Sequence, residues 1–166
     1  PALSTRKLRL GQRRPPERGA CYSLRLLVVI LALVSGACFG QIRAGAARRV
    51  ITPDLVRHAP VYLAGFDNNR VATGVHDDLF AGCLALAAGQ TPLVICGVDS
   101  IGLFFEDVEK IRAGARERTG GEVNVIVAAT HNHQTPDTMG LWGPKPGVSG
   151  ISEEYNRFVV ERTAEA

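Results

Sequence analysis

Val123-Asn-Val-Ile-Val-Ala-Ala-Thr-His-Asn-His-Gln-Thr-Pro-Asp137 decides the fold. A β-branched apolar run that ends at Thr130 and passes into polar, Pro-containing sequence reads as a buried strand opening into a loop. His131 and His133 stand at the C-terminal end of that strand. In extended chain the i, i+2 spacing turns both imidazoles to the same side, which suits a metal or a substrate held between them.

The residues before this strand supply its partners. Phe104 to Arg118 carries Phe105, Val108, Ile111 and Ala115 at helical spacing, with Glu106, Asp107 and Glu109 early and Arg112, Arg116 and Arg118 late. Acids near the N-terminus and bases near the C-terminus complement the helix dipole, and Gly120-Gly121 ends the pattern. The expectation is a helix with Val108, Ile111 and Ala115 buried and Glu109, Arg112 and Arg116 exposed. Further back, Leu79–Ala88 and Pro92–Val98 are apolar runs separated by Gly89-Gln90-Thr91, the pattern of a β-hairpin. Its register pairs Ala88 with Thr91 and sets Cys83 opposite Cys96; both lie in apolar runs and read as free core thiols. Strand, helix, strand of these lengths forms a right-handed crossover with parallel strands. The fold class is therefore α/β: mixed β-sheets with packed helices, including a right-handed βαβ unit.

Parallel strands end on one edge of the sheet. Asp99-Ser100 and His131-Asn132-His133 consequently face one crevice, where open α/β sheets bind ligands. Asp99 reads as a turn acid or a helix cap before Phe104. The histidine pair reads as functional, because two of the four histidines in the chain fall together at a strand end. Ile42–Ile51 is an edge or first strand stopped by Thr52-Pro53, and Leu55 to Asn69 is an ordered loop in which His58 reads as solvated.

Composition sets the outer limits. With 166 residues, 46% hydrophobic and 21% charged, the chain suits one domain with a buried core. The net charge is +3, but Arg6, Lys7, Arg9, Arg13, Arg14, Arg18 and Arg25 all precede the first long apolar run, so the remainder is not basic. No interleaving of aromatics with Lys and Arg marks a nucleic-acid surface. The basic segment, the short run Leu26–Val34 and the small residues of Ser35-Gly-Ala-Cys-Phe-Gly40 have the layout of a secretory signal, with an uncleaved anchor as the alternative. Residues 1–40 are read as a basic leader with its signal or anchor segment, 41–166 as the exported domain.

A His-x-His pair does not by itself name a reaction. Thr135 and Pro136 stand where a metallo-β-lactamase site would continue with Asp-His, and the chain is too short for an amidohydrolase barrel. P-loop, dinucleotide, Gly-x-Ser-x-Gly and Cys-x-x-Cys patterns are absent from the sequence.

The blocks Ala44-Gly-Ala-Ala-Arg-Arg-Val-Ile-Thr-Pro53, Leu63-Ala-Gly-Phe66, Thr73-Gly-Val-His-Asp77, Gly97-Val-Asp-Ser-Ile-Gly102 and Ala129-Thr-His-Asn-His-Gln-Thr-Pro136 occur in the order found in the N-terminal domain of neutral/alkaline ceramidases, which the chain resembles. The last block resembles that family's Thr-His-Thr-His-Ser-Gly-Pro segment, with Asn132, Gln134 and Thr135 in place of Thr, Ser and Gly. The resemblance implies a zinc-dependent hydrolase that cleaves the N-acyl amide of ceramide or a related lipid amide, a substrate that would bring it into contact with a membrane surface. It implies that His131 is a zinc ligand and that His133 contacts the substrate near the scissile amide. It also implies that the family's catalytic Ser, second zinc His, and Glu and Tyr ligands correspond to positions beyond Ala166, so that this chain would be an inactive N-terminal part of a larger catalytic domain. The alternative from another class is an exported binding or scaffold domain of the same fold without catalysis.

Overall fold

The computed structural model describes residues 41–166, so the leader read over residues 1–40 lies outside the described residues. Among the described residues the fold has four strands, β1 (Arg43–Val50), β2 (Phe80–Ala87), β3 (Leu93–Val98) and β4 (Asn124–Ala129), and two helices, α1 (Phe105–Thr119) and α2 (Glu153–Glu165). The strands form one mixed sheet in the order β1-β2-β3-β4, so β1 is an edge strand as expected. β1, β2 and β3 are antiparallel neighbours, while β3 and β4 are parallel and joined through α1, as the crossover reading requires.

The register follows from the tight turn at Gly89-Gln90. Leu86 pairs with Leu93 and Cys83 with Cys96, as read from the sequence. The thiol expectation is corrected: Cys83 and Cys96 are joined in a disulfide, with Cα atoms 4.1 Å apart. Both side chains leave the sheet on one face at directly opposed positions, so burial in apolar runs does not keep the sulfurs apart.

Both helices cover that face. Cys83, Cys96 and Val125 pack with Ile111 of α1 and Val160 of α2, and beside them Ala81 and Val98 pack with Ile51, Tyr155 and Val159. Gly114 of α1 allows the helices to approach closely, since a Cβ there would lie 2.9 Å from the Ala164 methyl group. The other face carries Leu84, Ile95 and Ile126, each 39–50% exposed among the described residues.

α1 has the expected ends. Glu106 and Asp107 occupy its first turn, Arg116 and Arg118 its last, and Gly120 takes the left-handed conformation at φ 66° that closes a helix. Ile111 is fully buried, whereas Val108 and Ala115 are only half-buried. Arg112, expected to be exposed, is half-buried because its Nε donates to the Val125 carbonyl at 3.0 Å. Its guanidinium is thereby shared between β4 and Glu109, to which Nη1 donates at 2.6 Å.

α2 has no counterpart in the sequence reading. Its signals are nonetheless ordinary: Ser152 caps the helix by accepting the Tyr155 N–H, Glu153 and Glu154 follow, and Tyr155, Val159 and Val160 recur on one face. Tyr155 is its anchor. The fully buried phenol donates to the Ile51 carbonyl at 2.9 Å, tying the helix to the end of β1.

Candidate functional site

The site lies where β3 and β4 run out. The chain leaving β4 stays stitched to that leaving β3: Thr130 N–H donates to the Val98 carbonyl, Asn132 N–H to the Ser100 carbonyl, and His131 Nδ1 lies 2.9 Å from the Ile101 carbonyl. The Asp99–Ser100 and His131–His133 segments therefore meet at one edge, as the parallel crossover dictates. Asp99 does not cap α1, whose N-cap is Phe104. Its Oδ2 instead accepts the Phe80 N–H at 2.9 Å while its own N–H donates to the Phe80 carbonyl, closing the ladder at the start of β2.

His131 and His133 come together, with ring centroids 5.0 Å apart and planes at 71°. The route differs from the expected one. His131 sits at φ 58°, in the left-handed region, so the chain turns at this residue instead of continuing extended. Asn132 then accepts the Gln134 N–H on its side-chain oxygen, and Thr135 donates its hydroxyl to the Asn132 carbonyl. Strand alternation is lost, and a side chain-bonded turn brings the rings to one side in its place.

The two rings are held differently. His131 Nδ1 can reach the Ile101 carbonyl only as an N–H donor, which leaves the lone pair on Nε2. A backbone carbonyl that fixes the Nδ1–H tautomer is the usual support behind a metal-binding imidazole. His133 is clamped by packing. Its ring meets Phe66 edge-on at 5.4 Å and abuts Gly65, where a Cβ would lie 2.5 Å from Nδ1.

The loop from Leu55 to Asn69 supplies this packing, as an ordered loop should. Residues 61–72 double back, with Tyr62 bridged to Val71, and dock on the histidine loop through the Leu63–Pro136 bridge and the Ala64 N–H to Thr135 carbonyl bond. His58 departs from expectation: it is buried, 6% exposed, and packs edge-on against Tyr155 at 5.5 Å. The turn explains the burial. Asp54 donates its N–H to His58 Nδ1 and accepts the His58 N–H on its carbonyl, which folds the ring inward onto α2. The N–H groups of Arg57 and Val56 that cap the Asp54 side chain hold its carboxyl below the ordinary value.

Asp137 is a residue that the sequence reading missed. It is 1% exposed, and its Oδ1 accepts from the backbones of Met139, Gly140 and Leu141 while Oδ2 accepts from Trp142 and Gly150. One carboxylate thus shapes the loop that follows the histidines. A groove lined by Leu63, Val71, Val75 and Leu79 together with Thr73, His76 and Asp77 includes Asn132 and Gln134 in its wall. Among the described residues, no three His, Cys, Asp or Glu side chains converge in a metal-holding group.

No protein-family model matches the chain, and no curated protein matches it. Solved structures do, two ceramidases among them. A neutral ceramidase from Pseudomonas aeruginosa superposes with a TM-score of 0.61 at 24% identity, over 75% of this chain and 20% of that one. The chain shares the fold of a neutral ceramidase segment. A ceramidase complexed with C2 gives a TM-score of 0.60 at 23% identity, over 74% of this chain and 20% of that one. The chain therefore spans about a fifth of the length of each ceramidase it matches, and the expected α/β class of mixed sheet with packed helices is the one found.

Proposed function

We propose that the chain is part of an exported, zinc-dependent amide hydrolase of neutral ceramidase type, acting on the N-acyl bond of ceramide or a related lipid amide. The observation that carries this reading is the pairing of a ceramidase-segment fold with the state of His131, whose Nδ1 is committed to the Ile101 carbonyl and whose Nε2 is left to bind. His131 fits one place in a zinc site. A catalytic zinc takes about three protein ligands plus water, so its partners in the complete enzyme are residues other than those of this edge. Zinc, when bound, polarises a carbonyl and lowers the pKa of water.

His133 is assigned the substrate. Packed against Phe66 and Gly65 beside His131, its imidazole is held in place to hydrogen-bond with the oxygen or nitrogen of the amide group that becomes tetrahedral during cleavage. The groove that adjoins Asn132 and Gln134 sets the apolar Leu63, Val71, Val75 and Leu79 beside the polar Thr73, His76 and Asp77, a mixed lining that suits an amphipathic lipid amide, and its opening at the surface suits a substrate presented by a membrane. The Cys83–Cys96 disulfide supports export, since such bonds persist in oxidising compartments.

Metal analysis of two variants of the full-length protein tests the assignment. His131→Ala should lose both zinc and activity, whereas His133→Ala should keep most of the zinc and lose turnover. Zinc lost from His133→Ala and kept in His131→Ala would reverse the roles, and zinc kept in both would remove the pair from the metal site. A full-length protein that neither binds zinc nor cleaves a lipid amide would instead be a scaffold of the same fold.

A further inference from the structure

The turn that packs against His133 is built from unfavourable backbone. Gly65 at φ 72° and Phe66 at φ 57° are consecutive left-handed residues. Gly65 adopts this conformation freely, but for a bulky residue such as Phe66 it costs about 1–2 kcal/mol. The ring thereby presented is 74% exposed, so burial of Phe66 in the core does not offset that cost. Such strain persists only where neighbouring groups hold it, and it clusters at working sites.

Arg70 is the holding group. Its Nη1 donates to the Ala64 carbonyl at 3.2 Å and to the Gly65 carbonyl at 3.0 Å, while Nη2 donates to Gln134 Oε1 at 2.9 Å on the other side of the histidine. The His133 carbonyl lies at the edge of the same fork, 3.5 Å from Nη1, and the guanidinium carbon stands 5.1 Å from the Phe66 ring centroid. One planar group therefore joins the strained turn, the aromatic ring and the backbone that carries His133. A lysine ammonium, a point donor without the fork, cannot span these partners at once.

We infer that Arg70 is a positioning residue for His133: it clasps the Ala64–Phe66 turn to the His133–Gln134 segment and so fixes the imidazole edge-on between Phe66 and His131. The inference rests on the reading of His133 as the substrate-contacting group, but its geometric content is independent of any activity. Removal of the fork frees the Phe66 turn to relax to ordinary backbone, and the aromatic wall then moves away from the imidazole. His133 loses its fixed orientation, while the sheet and both helices, to which the Arg70 side chain donates no hydrogen bond, stay as they are.

The test uses the full chain, labelled for nuclear magnetic resonance at its histidine and aromatic rings. In the unsubstituted protein, through-space cross peaks should connect the His133 ring to Phe66 and to His131, and the His58–Tyr155 cross peak should report the packed core. Arg70→Ala should lose both His133 cross peaks and keep that of His58; Arg70→Lys should behave like Arg70→Ala, and added ethylguanidine should restore the peaks in the alanine variant. His133 cross peaks of full intensity in a folded Arg70→Ala chain overturn the inference, and so does full recovery in Arg70→Lys. Should Arg70→Ala lose the His58 peak and hence the fold, Gln134→Ala decides: it removes one arm of the clasp at an exposed position, and unchanged His133 peaks there refute the clasp while weakened peaks support it. In the full-length protein, Arg70→Ala should lower kcat for lipid-amide cleavage with little change in KM. Loss of the cross peaks from a protein with no hydrolytic activity leaves the clasp standing and removes the hydrolase reading; retained cross peaks in an active enzyme do the opposite.

Discussion

Asp137→Asn isolates the energetic role of one buried carboxylate. The substitution keeps the shape of the side chain and one carbonyl oxygen, which can still accept from Met139, Gly140 and Leu141. The amide nitrogen that replaces Oδ2 faces two donors, the Trp142 N–H at 2.9 Å and the Gly150 N–H at 3.1 Å, and can accept from neither. Rotating the amide does not help, because the three donors on the other side would then lose their acceptor. With the side chain 1% exposed and Gly150 buried, water cannot take over. Each buried group left unpaired costs about 1–3 kcal/mol, so the two together give a loss of about 2–6 kcal/mol. Equilibrium urea unfolding followed by far-ultraviolet circular dichroism measures it, and a thermal scan should show the midpoint fall by about 4 °C or more for a chain of this size. A loss below about 0.5 kcal/mol would refute the claim that this carboxylate organises the loop, since that is the range of an ordinary surface substitution.

Other consequences follow from single residues. Tyr155→Phe should cost about 1–3 kcal/mol by leaving the Ile51 carbonyl unpaired, as read by urea titration at neutral pH. Burial first, and the nearby Asp99 charge second, push the Tyr155 phenol above its ordinary value of 10.0. The folded state therefore retains the proton that the unfolded chain gives up, so stability should be full below about pH 10 and fall above it; a Tyr155→Phe chain with the same alkaline slope would contradict this. Thiol titration of the unfolded, unreduced mature domain should find Cys83 and Cys96 blocked, and reduction should cost about 2–3 kcal/mol for a loop of 13 residues' separation. Gly65→Ala should cost at least about 1–2 kcal/mol in thermal unfolding from the left-handed backbone alone. It should also displace the His133 ring, because the new methyl group would stand 2.5 Å from Nδ1; an unchanged His133 environment would count against the packing described for that ring.

The sequence by itself determined whatever depends on neighbours in the chain. The α1 boundaries, the hairpin at Gly89-Gln90 with Cys83 opposite Cys96, the parallel crossover and the meeting of Asp99–Ser100 with His131–His133 all follow from local periodicity and turn chemistry, which fix register and strand direction before any packing is known. α2 was legible too, in the Ser152 cap and the spacing of Tyr155, Val159 and Val160. Tertiary structure alone decided the rest. His58 is buried because Tyr155 and Phe158 arrive from α2, about a hundred residues on, and no local pattern announces that meeting. Arg70 becomes a clasp on His133 only when a loop 64 residues further along closes on it, whereas the five backbone donors of Asp137 lie within 13 residues of it and were missed because burial of the carboxylate is not visible in the chain. A carboxylate or guanidinium in a loop carries the same local signature whether water or backbone satisfies it; which of the two does so is set by the three-dimensional supply of donors and acceptors.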